Sequence, residues 1–162
     1  MTDESGGSSP DRNPQSLSAH ASAGVECSAT LSRSFPVDTI RDRLEDNEYA
    51  LSLILTSTRL ETVISEAIRL HYGWDLEEFE NEGYNSYSLG KLITECSKYG
   101  ALQEHDEEIN RIESNKNPIV NLRNNLVHDY GYLEKIEKDE ETQKKVRNAI
   151  EDTLDFIEAV EL

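Results

Sequence analysis

Cysteine is nearly absent from this chain. Cys27 and Cys96 are the only two in 162 residues, which excludes a disulfide framework and a thiolate metal site. Cationic residues are scarce as well: 16 Lys and Arg stand against 33 Asp and Glu, for a formal charge of −17 and a pI near 4.5. That balance argues against general nucleic-acid binding, because phosphate contacts draw on Lys and Arg. A salt-rich cytosol is one way round it. At about 1 M salt the Debye length falls to about 3 Å, so the global charge would barely repel an RNA. Nor is there an apolar run long enough to cross a bilayer, or a charged-then-apolar leader. No segment alternates with a period of two, and repeats and glycine-rich phosphate loops are missing. What these absences leave is a soluble, cytoplasmic, all-α protein with no expected cofactor.

Apolar residues make up 36% of the chain, and their shortage is concentrated in the first 35 positions. Residues 1–35 are rich in Ser, Gly and Asp without any apolar period, which predicts a disordered tail. The helical domain is expected over residues 36–162. Asp38 is a plausible cap for a long first helix that ends at Gly73, with Asp46-Asn47 the natural place for a break. Two apolar stripes run along it, one through Ile40, Leu44, Leu51 and Leu55, the other through Leu53, Leu60, Ile64, Ala67 and Ile68. A helix apolar on two sides needs two surfaces, and a second copy of the chain is a natural one. Trp74–Ser86 is acidic, aromatic and aperiodic, and is expected to be a loop. Its rings suit packing on helix ends better than stacking on RNA bases, because the neighbouring Glu77, Glu78, Glu80 and Glu82 repel phosphates.

Ser88 can cap a short helix closed by Gly100, with Leu89, Leu92, Ile93 and Cys96 on one side. Cys96 has no basic neighbour in sequence to activate it and is expected in the core. His105-Asp106-Glu107-Glu108 looks like a metal cluster at first sight, but an acidic run of this kind also begins helices. Lys135, Lys138, Lys144, Lys145 and Arg147 are the one local basic enrichment, interleaved with acids as on a solvated helix face. Val146, Ile150, Leu154 (or Thr153), Ile157 and Val160 then mark a last amphipathic helix. The expected fold is an antiparallel bundle of four or five helices.

The densest chemistry lies between Asn117 and Tyr132. Asn117-Pro118 reads as a helix start, and Gly131 as a left-handed stop. Asn121, Asn124 and His128 then share one face, with Asn124 placed to hydrogen-bond the His128 ring, and Arg123 and Tyr130 share another. Ile119, Leu122 and Leu126 anchor the helix. Arg123 and His128 fall roughly 140° apart at about 100° per residue, so they flank a groove. Two copies meeting across a two-fold axis would bring both pairs to one cleft.

This Arg-Asn-x-x-x-His-x-Tyr pattern resembles the HEPN superfamily of small helical domains, and most resembles the toxins of HEPN–nucleotidyltransferase toxin–antitoxin pairs. The resemblance implies a metal-independent endoribonuclease acting on RNA as a homodimer, with Arg123 and His128 catalytic and Asn124 and Tyr130 supporting. It also implies a nucleotidyltransferase antitoxin that transfers AMP to Tyr130. The chemistry is coherent. A histidine exchanges protons near neutral pH, an arginine fork clamps the phosphate, and the 2′-OH serves as nucleophile to give a 2′,3′-cyclic phosphate. A non-catalytic HEPN-like module that binds a nucleotide or a protein remains the rival reading, since fold does not dictate activity.

Overall fold

The computed structural model describes residues 36–161, and the expected tail over 1–35 lies outside them. Among the described residues every regular element is helical, as the sequence pattern requires. In chain order these are α1 (Val37–Glu45), α2 (Tyr49–Tyr72), α3 (Leu76–Asn81), α4 (Leu89–Tyr99), α5 (Asp106–Glu113), α6 (Ile119–His128), α7 (Tyr132–Lys138) and α8 (Glu140–Glu161). Four are long enough to frame the bundle: α2, α4, α6 and α8.

The expected long first helix is two helices. The chain breaks where Asp46-Asn47 suggested, with Asn47 at φ 63°, a left-handed conformation that Asn tolerates better than most residues. The first residue of α1 is Val37, preceded by Pro36. Asp38 therefore sits inside the first turn instead of capping it, where its charge still complements the helix dipole. The break alters the packing. Ile40 and Leu44 are buried because α1 folds back against α2 and α8, so a second copy is not needed to cover them. Leu51 stays 43% exposed.

Helix α2 is the centre of the fold and packs against α1, α4, α6, α7 and α8. Its buried stripe, including Leu53, Leu60, Ile64 and Ile68, recurs at three- and four-residue steps and meets Ile150, Leu154 and Ile157 from α8. Each such side chain contributes about 1.5–3 kcal/mol by leaving water. Helices α2 and α8 run in the same sense: Arg147 reaches over the Tyr49 ring at the start of α2, and Arg59, further along α2, meets Glu161 at the end of α8 at 2.7 Å. Helix α1 runs against α8, with Arg41 bonded to Asp155 and Glu158 and Arg147 donating to the Leu44 carbonyl. Gly73 and Gly100 end α2 and α4 in left-handed conformation, and the Ser88 hydroxyl accepts from the Lys91 N–H at the start of α4.

The segment after Gly73 departs from the expected loop. Asp75 and Glu78 form a reciprocal capping box, each side chain accepting from the other's backbone N–H, and this nucleates the short α3. A 3-10 turn follows at Tyr84–Ser86. Trp74 packs on a helix end as expected, stacking on Tyr72, the last residue of α2, at 4.3 Å, and the rings also pack on one another, with Tyr84 against Trp74, Phe79 and Tyr87. Cys96 is buried, and burial pushes its thiol up to about 11. The Asp106-Glu107-Glu108 run is the acidic first turn of α5, while His105 turns its ring edge-on to Phe156. Among the described residues, no group of three or more His, Cys, Asp or Glu is placed to hold a metal ion, and no helix is long and apolar enough to cross a membrane.

Candidate functional site

Helix α6 is held at its start by one buried side chain. Asn117 is 4% exposed, and its Oδ1 accepts from the Ile119 N–H at 3.1 Å. Its Nδ2 donates across to α8, to Thr153 Oγ1 at 3.0 Å and the Ala149 carbonyl at 3.4 Å. Asn117 thus caps α6 from one position earlier than a standard N-cap, and Pro118 occupies the cap position instead of the first helical one. The reason is tertiary: the same amide has to reach α8. Ile119 and Leu122 are buried and Leu126 is half-buried, so the anchoring stripe read from the sequence holds.

The other end of the helix differs from expectation. Helix α6 stops at His128, not Tyr130, because Asp129 turns extended at φ −110°, ψ 105°. The Asp129 carboxylate accepts from the Gly131 N–H at 2.9 Å, an Asx turn that leads straight into α7. Gly131 is right-handed, at φ −82°. It precedes α7 and does not terminate α6 by a left-handed turn.

These boundaries decide what the motif residues face. Arg123 and Asn124 are half-buried, and the guanidinium donates to Asn124 Oδ1 at 3.3 Å. Asn124 is therefore engaged with Arg123 and does not orient the imidazole, as its helical spacing had suggested. His128 is exposed in the last turn, and no described residue hydrogen-bonds its ring. Tyr130 lies beyond the helix, so the seven-residue spacing no longer sets it on the Arg123 face. It is fully exposed, and Leu133 beside it is itself 44% exposed. Tyr132 does pack. It is buried, which raises its hydroxyl pKa, and an Asn125 side-chain hydrogen bond partly offsets the rise.

One charged neighbour was not legible from the motif. Glu61, half-buried on α2, lies within electrostatic reach of Arg123 across the α2–α6 contact. Burial raises its carboxyl pKa and the Arg123 charge pulls it back. Of the basic residues further on, Lys138 pairs with Glu134 at 2.7 Å on a solvated face, four residues apart along the helix, whereas Arg147 is half-buried and, besides meeting Glu151 at 3.5 Å, donates to the Leu44 carbonyl of α1. No protein-family model, no curated protein and no solved structure matches this chain.

Proposed function

We propose that this chain is a metal-independent endoribonuclease of HEPN type that acts as a homodimer, the toxin of a pair whose antitoxin is a nucleotidyltransferase. The observation that carries the reading is the presentation of Arg123 and His128 by one short helix at the protein surface, with Asn124 bonded to the guanidinium. The arginine meets the phosphate and stabilises its developing charge. The 2′-oxygen attacks phosphorus, the bond to the 5′-oxygen breaks, and the exposed imidazole of His128 is free to move a proton. Tyr130 stands wholly in solvent, where an AMP-transferring partner can reach its hydroxyl. The net charge of −17 makes binding depend on this local site and on ionic strength.

The test is cleavage of a defined RNA by the purified chain. Arg123→Ala and His128→Ala should each cost about 10²–10⁴ in rate while the helical circular dichroism is unchanged. The products should carry 2′,3′-cyclic phosphate and 5′-hydroxyl ends, and EDTA should make no difference. Cleavage that survives His128→Ala and stops with EDTA would overturn the reading. Saturable nucleotide or protein binding without any cleavage would favour the non-catalytic module.

A further inference from the structure

Helix α6 has two ways to end, and the choice sets what the motif presents. A ladder that ran on through Tyr130 would return that ring to the Arg123 face and leave Gly131 to close the helix. The chain takes the other course at Asp129. Its N–H still bonds the Asn125 carbonyl at 2.8 Å, which completes the helix at His128. Its backbone then turns extended, and two of the next three N–H groups come back to this one residue. Gly131 donates to the carboxylate Oδ1 at 2.9 Å, and Tyr132 donates to the Asp129 carbonyl at 3.0 Å. Tyr132 is buried and opens α7, so the corner is pinned on its far side as well. His128 and Tyr130 flank Asp129, and both are exposed.

An acidic side chain is electrostatically out of place here. Helix C-termini favour cations, and a carboxylate next to a phosphate site repels its ligand. What it supplies is an acceptor within reach of the N–H two residues on, which an apolar side chain lacks. We propose that Asp129 is a positioning residue of the site: its bond to the Gly131 N–H ends α6 at His128 and holds Tyr130 clear of the helix. Its effect on cleavage rests on the ribonuclease reading above, and its effect on Tyr130 does not. Asp129 touches no reacting atom. It acts through His128, whose imidazole moves the proton, and through Tyr130, whose hydroxyl it keeps in solvent. Arg123 lies more than a turn earlier, inside the regular ladder, so phosphate binding is not what Asp129 governs.

The experiment compares Asp129→Ala with Asp129→Asn, two variants of equal charge that differ in the acceptor. Brief tetranitromethane treatment and peptide mass mapping read Tyr130; RNA cleavage, with kcat and KM separated, reads His128. Tyr130 is already fully exposed, so a loosened corner can only shield it. Asp129→Ala should nitrate Tyr130 and turn over RNA about 2- to 12-fold more slowly than Asp129→Asn, the change that one net hydrogen bond supports, while the two share one KM. Asp129→Asn should match the wild type in kcat with a KM no higher, because it keeps the acceptor and drops the repelling charge. Gly131→Ala keeps the N–H and suits a right-handed φ of −82°, so it should behave as the wild type. Equal nitration of Tyr130 in Asp129→Ala and Asp129→Asn, or equal kcat in the two where the wild type cleaves, would overturn the assignment. So would a Gly131→Ala chain as impaired as Asp129→Ala. A wild type that cuts no RNA sinks the ribonuclease reading, and the nitration rates then still decide the role of Asp129.

Discussion

Removing the Asn117 side chain should loosen the start of the motif helix, and the structure sets the size of the effect. The Asn117→Ala variant loses the cap on the Ile119 N–H at 3.1 Å, the bond to Thr153 at 3.0 Å and the longer one to Ala149 at 3.4 Å. A helix cap is worth about 1 kcal/mol and a net buried hydrogen bond about 0.5–1.5 kcal/mol. The long contact to Ala149 adds little, because that carbonyl already accepts from Thr153 Oγ1 at 2.7 Å. The expected cost is therefore about 1.5–2.5 kcal/mol, a sizeable share of the roughly 5–15 kcal/mol that a domain of this size has. Urea unfolding followed by far-ultraviolet circular dichroism measures it as a lower midpoint with an unchanged slope. Thr153→Val removes the partner from the other side, and the double variant should show a coupling of about 0.5–1.5 kcal/mol, as expected for residues in one network. Asn117→Asp is a sharper control. It keeps the acceptor for Ile119 but points a carboxylate at the Ala149 carbonyl, so it should fare no better than alanine at neutral pH. An Asn117→Ala variant within about 0.5 kcal/mol of wild type, or zero coupling to Thr153, would refute the claim that one amide ties α6 to α8.

Other expectations follow from individual side chains. Co-expression with a nucleotidyltransferase partner should add one or more AMP groups to the wild type and none to Tyr130→Phe, by intact mass; the buried Tyr132 should not substitute, and a neutralised but unmodified chain would point to inhibition by binding alone. The Ser52 and Thr56 hydroxyls are buried with no hydrogen-bond partner among the described residues, so Ser52→Ala and Thr56→Val should be neutral or stabilising by up to about 1 kcal/mol in the same urea assay, and a loss above that would show that the hydroxyls are satisfied. Cys96 in a Cys27→Ser background should resist alkylation until the chain unfolds. Because burial raises its thiol from 9.0 to about 11, the folded chain keeps a proton that the unfolded chain releases. That contribution is complete below pH 9 and is lost as pH rises to about 11, with a slope of at most about 1.4 kcal/mol per pH unit. Thermal melts of the Cys27→Ser chain against Cys27→Ser/Cys96→Ala across that range measure it, and parallel curves would sink the argument.

Signals confined to one or two turns were legible in the sequence itself. Gly73, Gly100 and Ser88 marked helix ends because left-handed backbone and side-chain caps are properties of a few consecutive residues. Asp46-Asn47 marked the break for the same reason. The Asp75–Glu78 capping box was equally local, but the surrounding acids and aromatics hid it in a stretch without apolar period. The apolar stripes of α2 and α8 needed only the helical repeat to declare an all-α core.

Choices between two local options were settled by neighbours in space. Gly131 could have ended one helix or preceded the next, and the Asp129 carboxylate on its N–H decided for the second. Asn124 lies within helical reach of both Arg123 and His128, and it bonds Arg123. Asn117 caps from an unusual position because Thr153 of α8 claims its amide. Glu61 and Arg123 sit on different helices far apart in sequence, and only the packing of α6 on α2 brings a carboxylate to the motif arginine. Caps and periodicity are energies of adjacent residues and are written into the chain. Which charged or polar groups meet across helices depends on crossing geometry and burial, which no single stretch of this sequence encodes.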